Sequence, residues 1–189
     1  IYKLPPAHYL IVDDTGKIIE KEKYYDISFK PDNKTSSEDW LIKTDAAITD
    51  SVNSQLVSDV PFGVFLSGGI DSALVSAIAN KEENGNLKTF TIGFDNPEYD
   101  ESTLAGTFSE IIESDHQETI CSAKDLIDLL PSFFKTYGEP FADSSAIPSL
   151  LLNKTTKPQV TVALSGDGGD ESFFGYNHFE WLTKVKLFF

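Results

Sequence analysis

The pattern of apolar and polar positions predicts a short β-rich segment followed by a long helix. Residues 1–26 read as a β-hairpin, because two strand-like segments flank the turn-forming cluster Asp13-Asp14-Thr15-Gly16. Residues 27–37 are polar and have no period, which is typical of a linker. Apolar residues at helical spacing then predict a helix from about Glu38 to Val57, with Ser37 as its N-cap.

After residue 60 the pattern changes to short apolar strands that alternate with amphipathic helices. Strands are predicted at residues 63–66, 88–94, 116–120 and 160–164, and helices at 71–80, 101–113, 126–137, 145–154 and from 170 onward. A capping box at residues 122–125 precedes the third of these helices, which Pro131 is expected to kink. Such alternation predicts an α/β fold, a doubly wound parallel sheet with helices on both faces.

Composition narrows the class of protein. The 189 residues suffice for one domain with a core, and the net charge of −15 argues against nucleic acid as a partner. The single cysteine, Cys121, excludes an intramolecular disulfide and is expected to be a small buried residue. No apolar run reaches membrane-spanning length, so no membrane association is expected. Because the chain lacks methionine and starts at Ile1, we interpret it as a fragment cut at both ends.

The motif Ser67-Gly68-Gly69-Ile70-Asp71-Ser72 follows the first predicted parallel strand. Glycines let backbone N–H groups approach a ligand, and the N-terminus of the next helix favours an anion such as phosphate. A carboxylate beside a phosphate is repulsive unless a cation lies between them, and Mg²⁺ is the usual bridge. The motif therefore predicts a magnesium–nucleotide site. The alternative, a plain strand-to-helix turn, stays open on this motif alone.

A second motif, Ser165-Gly166-Asp167-Gly168-Gly169-Asp170-Glu171, repeats the design after the last predicted strand. If the two strands are neighbours, Asp71 and Asp170 face one crevice and can share Mg²⁺, and Asp167 is a third carboxylate there. Simple helix capping remains the alternative for one of the acidic residues in this second motif.

These motifs resemble those of known enzymes. SGGIDS resembles the loop of the N-type ATP pyrophosphatases, and the two motifs together with KTFTIGF, YDES and GEPFADSSAIP resemble glutamine-hydrolysing asparagine synthetase over residues 45–180. Residues 3–26 resemble the last hairpin of that family's N-terminal glutaminase domain, whose nucleophile is an N-terminal cysteine where this chain has Ile1. The resemblance implies a glutaminase remnant and linker at residues 1–30 and a synthetase domain, truncated at its C-terminus, at residues 31–189.

The resemblance also implies an adenine nucleotide alpha hydrolase-like fold, ATP and Mg²⁺, and a set of roles. It places Leu66, Ile92, Ser165 and Gly166 around the adenosine, Ser67, Gly68, Gly69, Asp71 and Ser72 at the pyrophosphate, Asp71 and Asp170 on Mg²⁺, and Asp167 where it would orient or deprotonate ammonia. The implied reaction is cytoplasmic amidation of aspartate through an acyl-adenylate, with ammonia that the glutaminase domain releases from glutamine. A homodimer is a further expectation, and the fragment alone is expected to be inactive.

Three alternatives stay open at this point. Gly106 and His178 stand where the family commonly has Arg, and Phe174 stands where it has Gly. These departures leave open an adenylating amidotransferase that acts on another acid, such as a surface-polysaccharide sugar acid. The acidic charge and lone cysteine argue against tRNA modification, and a degenerate binding domain is the non-enzymatic alternative. His116 is expected to be a hydrogen-bonded structural residue. The GEPFADSS segment is either an ordered loop or part of the acceptor pocket through Tyr137, Glu139 and Phe141.

Overall fold

The computed structural model describes residues 2–83, 85–139 and 141–185, and the chain divides into two compact units, residues 1–43 and 44–189. The division falls inside the helix Ser37–Gln55 (α1), later than the 30/31 boundary that the sequence predicts, so that boundary stays a prediction. Ile1, and the Pro140 of the GEPFADSS segment, lie outside the described residues.

The first unit begins with the predicted hairpin. Strands β1 (His8–Val12) and β2 (Ile18–Lys23) pair antiparallel. The Asp13 carboxylate closes the turn, because it accepts hydrogen bonds from the N–H groups of Thr15 at 3.0 Å and Lys17 at 2.9 Å.

Helix α1 runs over Ser37–Gln55, so its first residue is the one predicted to be its cap. The cap is Ser36, whose Oγ accepts the Asp39 N–H at 3.1 Å and donates to the Asp39 carboxylate at 2.7 Å. The prediction of Ser37 as the cap was therefore wrong. Two serines precede the helix, and the carboxylate three residues beyond the first of them decides between the two.

The second unit is built on a parallel four-stranded sheet. Its strands lie in the order β5-β4-β3-β6 and their connections carry the helices. The bounds are β3 (Phe62–Phe65), α2 (Ile70–Glu82), β4 (Lys88–Phe94), α3 (Ser102–Ile112), β5 (Asp115–Cys121), α4 (Ala123–Tyr137), α5 (Ala146–Thr156), β6 (Val162–Leu164), α6 (Gly169–Phe173) and α7 (Asn177–Val185). The predicted doubly wound α/β fold is thereby confirmed.

Two apolar clusters lie on opposite faces of this sheet. One joins the buried Val64 of β3 to residues of α1 and α2, among them Val52 and Ile78. The other joins Cys121 at the end of β5 to Leu129 of α4 and Leu151 of α5. Helices therefore cover both faces, and Cys121 is a buried residue as predicted. In the part of the second unit and hairpin that the structure describes, no helix has the length and apolar character needed to cross a bilayer.

The last predicted helix is interrupted. Helix α6 ends at Phe173, and the next residue, Phe174, has a left-handed backbone with φ of +60°. The chain resumes as α7 only at Asn177. A left-handed residue terminates an α-helix because its carbonyl no longer points along the helix axis. The expectation of one continuous helix from Asp170 was wrong in this respect.

His116 lies at the start of β5, at the amino end of the sheet. Its Nδ1 is 2.8 Å from the Thr89 Oγ1, which is also 2.8 Å from the Ser114 Oγ, so the predicted structural role is confirmed. Its Nε2 is buried and has no hydrogen-bond partner among the described residues. Burial lowers the pKa of His116, and the nearby Glu118 carboxylate opposes that effect.

This environment predicts a pH-dependent stability. The unfolded chain binds the His116 proton below about pH 6.5, whereas the folded protein resists it, so the free energy of unfolding falls as the pH decreases from that value. We expect the melting temperature of wild type to drop between pH 7.5 and pH 5.5, and that of His116→Asn to drop less. Thermal unfolding followed by circular dichroism measures both. Parallel curves for the two proteins would assign the pH dependence to other groups.

Candidate functional site

The topology brings the two glycine-bearing turns to one edge of the sheet. The chain passes from β3 to β4 and β5 in one direction and then crosses to β6 on the other side of β3. Val64 of β3 pairs with Leu164 of β6, so the two strands are neighbours and end together. A parallel sheet offers its ligand crevice at such a switch of direction, outside the carboxyl ends of the strands.

The first turn, residues 67–72, is held by its own side chains. The buried Ser72 Oγ accepts the Ser67 N–H at 3.0 Å and lies 2.8 Å from the Ser67 Oγ. The Ser67 Oγ in turn accepts the Gly69 N–H at 3.1 Å. These bonds fix a tight loop between β3 and α2, whose first turn contains Asp71. The N-terminus of α2 and the N–H groups of residues 67–69 thus lie together at the end of β3.

The second turn, residues 165–170, has a similar internal lock. The Ser165 Oγ donates to the Asp167 carboxylate at 3.0 Å and accepts the Asp167 N–H at 3.4 Å. Gly168 has φ of +90°, and the Gly169 N–H donates to the Gly166 carbonyl at 3.2 Å. The chain therefore turns sharply at Gly168 and presents the exposed Asp167 at the rim of the crevice.

The two turns touch each other. A Cβ on Gly166 would lie 2.7 Å from the Ser72 backbone N and 3.1 Å from the Asp71 Cβ, so no larger residue fits there without movement. A Cβ on Gly169 would collide with the Asp71 carboxylate and would lie 3.0 Å from the Asp71 Cβ. Predicted site residues from both motifs are thus in direct contact at a single edge.

A pocket of about 500 Å³ opens beside the second turn. Its walls are mostly apolar and come from α1, α2, β6 and α6, and its polar end is formed by Asp71 and by residues 165–169. Ligand pockets of enzymes have this size and this mixture of apolar walls and a few polar groups. No lysine lines this pocket among the described residues.

The segment after Asp170 folds back onto it. The Gly175 N–H donates to the Asp170 carbonyl at 3.0 Å, and the Tyr176 hydroxyl donates to the Glu171 carboxylate at 2.7 Å. The bond from Tyr176 lowers the pKa of Glu171. The same bond, with desolvation and the charges of Glu171, Asp170 and Asp167, raises the pKa of Tyr176 to about 12, so its hydroxyl remains a donor at neutral pH.

One residue that sequence reasoning missed lies on the first turn. Glu101, which precedes α3, accepts the Gly68 N–H at 3.2 Å through its carboxylate. The YDES motif contains this residue, but nothing in the local pattern shows that it reaches a loop more than thirty positions earlier in the chain. A carboxylate at this N–H shows that the Gly68 amide is available to an anionic oxygen.

Two of the predicted adenosine residues lie apart from the pocket. The buried Leu66 N–H donates to the Phe90 carbonyl at 2.8 Å, and Ile92 packs against the cluster of Cys121, Leu129 and Leu151. Neither is among the pocket-lining residues, whereas Ser165 and Gly166 are. The roles of Leu66 and Ile92 therefore stay predictions.

The exposed Phe174 contacts Phe179, with ring centroids 5.0 Å apart.

Comparison with known proteins identifies the family. The family model described as "Asparagine synthase" matches residues 43–188, which is most of the chain. The chain belongs to the asparagine synthase family.

Two relatives in this family align with nearly all of this chain but are much longer proteins than it is. Asparagine synthetase (glutamine-hydrolyzing) 1 of Bacillus subtilis is 37% identical over 189 residues, which cover 100% of this chain and 29% of that protein. Asparagine synthetase (glutamine-hydrolyzing) 3 of the same organism is 31% identical over 199 aligned positions, covering 95% of this chain and 31% of that protein. The chain thus spans less than a third of these two relatives' length. Among solved structures, NMN synthetase from Francisella tularensis aligns over 76% of this chain and 59% of that one, with 18% identity and a TM-score of 0.42.

Proposed function

We propose that this chain carries the ATP-binding part of a glutamine-hydrolysing asparagine synthetase, which forms asparagine from aspartate through an acyl-adenylate. The observation that carries the proposal is the contact between the two turns, in which Gly166 and Gly169 lie directly against Asp71 and Ser72. This contact brings the N–H groups of the first turn and the carboxylates of both turns to one edge of the sheet. Family membership supplies the reaction, and the relatives named above are asparagine synthetases.

The residues present fit a magnesium–nucleotide complex. ATP is strongly anionic, yet the pocket is lined by Asp71 and Asp167 and by no lysine in the described residues, and Asp170 follows directly after the lining residue Gly169. A divalent cation removes this conflict, and Asp71 and Asp170 are the residues that would hold it. No group of three or more acidic, His or Cys side chains is arranged as a metal site in the described part of the chain. Mg²⁺ binds nucleotides through one or two protein carboxylates together with phosphate oxygens. When bound, Mg²⁺ neutralises the charge that develops on the departing pyrophosphate.

The chain's own groups have distinct tasks in this proposal. The N–H groups of Gly68 and Gly69, now satisfied by side-chain oxygens, would donate to phosphate oxygens of ATP. The aspartate side-chain carboxylate attacks the α-phosphorus and pyrophosphate leaves; ammonia then attacks the acyl carbon and AMP leaves. Asp167, exposed at the rim and oriented by Ser165, would accept the proton that ammonia loses.

The hairpin supports a glutaminase partner in the longer protein. A two-stranded sheet is only marginally stable alone, because it buries little apolar surface. Here Leu10, Ile11, Ile18 and Ile19 are 40–65% exposed on β1 and β2. We propose that the hairpin completes the sheet of a glutaminase domain, which would deliver ammonia from glutamine.

Pyrophosphate release by the full-length gene product tests the function. We expect release that requires ATP, Mg²⁺ and aspartate, with asparagine and AMP as co-products when glutamine or ammonium is added. A panel of other acids, including glutamate and uronic acids, serves as the control. Release with a uronic acid but not with aspartate would replace asparagine synthesis with the sugar-acid alternative. Pyrophosphate release that depends on added tRNA, and not on a free acid, would point to tRNA modification.

A further inference from the structure

The residues that follow Asp170 form a closed loop around it. Helix α6 is only five residues long, and the left-handed Phe174 reverses the chain directly after it. The reversal returns the Gly175 N–H to the Asp170 carbonyl at 3.0 Å. The backbone of Asp170 is thus fixed by a residue outside its helix.

The side chain of Asp170 is fixed by the same reversal. The space where Gly175 lacks a Cβ is occupied by the Asp170 carboxylate: an added Cβ would lie 2.9 Å from the Asp170 Cγ and would collide with Oδ1. Only glycine at position 175 permits this placement. A Cβ there would displace the carboxylate, which is the end of a short rotatable side chain, and would leave the backbone contacts of the turn in place.

A second bond closes the loop from its other end. The Tyr176 hydroxyl donates to the Glu171 carboxylate at 2.7 Å, which joins the residue after Asp170 to the residue after Gly175. The Tyr176 ring also stacks on the His178 ring at 5.1 Å and 18°, next to the start of α7. Glu171 and Tyr176 are both exposed, so their bond adds little to the stability of the fold. A conformational role explains the arrangement better than a stabilising one.

We propose that Gly175 and the Glu171–Tyr176 hydrogen bond act together as a clasp that positions the Asp170 carboxylate for Mg²⁺–ATP. The inference rests on the proposed function, since it assigns Asp170 to the cation. Glu171, Gly175 and Tyr176 are positioning residues in it, because they act through Asp170. Without the clasp, Asp170 would sample other rotamers and its carboxylate would be in place to hold the cation for only part of the time.

The test compares four substitutions in the full chain by titration calorimetry with Mg²⁺–ATP, and by thermal unfolding. Tyr176→Phe and Glu171→Ala should weaken ATP binding about ten-fold, the scale of one charged hydrogen bond, and should raise the half-saturating Mg²⁺ concentration. Glu171→Gln keeps an oxygen acceptor and should retain most of the affinity. Gly175→Ala should weaken binding at least as much as Tyr176→Phe. All four should melt within a few degrees of wild type.

The hairpin provides a matched control, and hydrogen exchange provides a readout without ligand. Tyr9 donates to Glu20 in the same kind of exposed pair, so Tyr9→Phe should leave ATP binding unchanged. In the ligand-free chain, Tyr176→Phe should speed exchange of the Gly175 amide by several-fold. If wild type binds Mg²⁺–ATP and both Tyr176→Phe and Gly175→Ala bind it equally well, the clasp is overturned while the proposed function stands. If wild type binds no Mg²⁺–ATP, the proposed function fails, and the clasp loses its purpose with it.

Discussion

Gly166→Ala should lower the melting temperature by several degrees and abolish measurable ATP binding. The added Cβ would lie 2.7 Å from the Ser72 backbone N, which cannot swing aside as a side-chain end can. Overpacking of this kind costs about 1–3 kcal/mol, or roughly 2–4 °C per kcal/mol for a chain of this size. To relieve the clash the two turns must separate, and the separation opens the crevice in which Asp71 and residues 165–169 meet. Thermal unfolding and calorimetry with Mg²⁺–ATP measure the two effects.

Gly106→Ala is the matched control for this substitution. Gly106 lies in α3, and a Cβ built on it meets nothing within 4 Å. Alanine is favoured over glycine inside a helix by about 0.5–1 kcal/mol, so this variant should melt at or above the wild-type temperature and bind ATP normally. Equal melting temperatures and equal ATP affinities for the two variants would contradict the close contact between the turns.

The elements of the fold were predictable where local signals agree with burial. KTFTIGF is rich in β-branched and aromatic residues, and β4 has the predicted bounds of residues 88–94. The capping box of Ser122 and Asp125 is likewise present as predicted, although α4 begins directly after Ser122, at Ala123, and not at residue 126. By contrast β6 covers only Val162–Leu164, although the apolar run starts at Val160. The Val160 N–H donates to the Thr156 carbonyl of α5, so a contact with the preceding helix removes it from the strand.

The site was predictable only as far as the repeated motif extends. Two similar turns after two buried strands indicate one shared edge, and the β3–β6 pairing bears this out. The contact of Glu101 with Gly68 depends on how α3 packs, which no local pattern encodes. The left-handed backbone at Phe174 was equally hidden, because a bulky residue rarely adopts positive φ and gives no signal for it. Long-range packing decides the first of these features, and the second belongs to a turn closed by local bonds of Gly175 and Tyr176.

Asp71→Asn should reduce Mg²⁺-dependent pyrophosphate release by the full-length gene product by on the order of 100-fold or more, since a metal ion contributes several kcal/mol to such a transition state. Asparagine has nearly the same shape as aspartate, so the crowded contact of residue 71 with Gly169 is retained. What changes is the charge on the first turn. The affinity of the variant for Mg²⁺–ATP should weaken correspondingly. When a chelator removes Mg²⁺, the variant and wild type should bind ATP with the same affinity.

Asp128→Asn controls for the loss of one negative charge from a strongly acidic chain. Asp128 is exposed on α4, on the face of the sheet opposite α2. Its replacement by asparagine should leave ATP binding and turnover unchanged. Asp128→Asn should unfold within about 0.5 kcal/mol of wild type, as exposed polar substitutions usually do. If Asp71→Asn kept full Mg²⁺-dependent turnover, the carboxylate of the first turn would have no part in binding the cation. The crevice would then have to bind the triphosphate through N–H groups alone, against three nearby carboxylates.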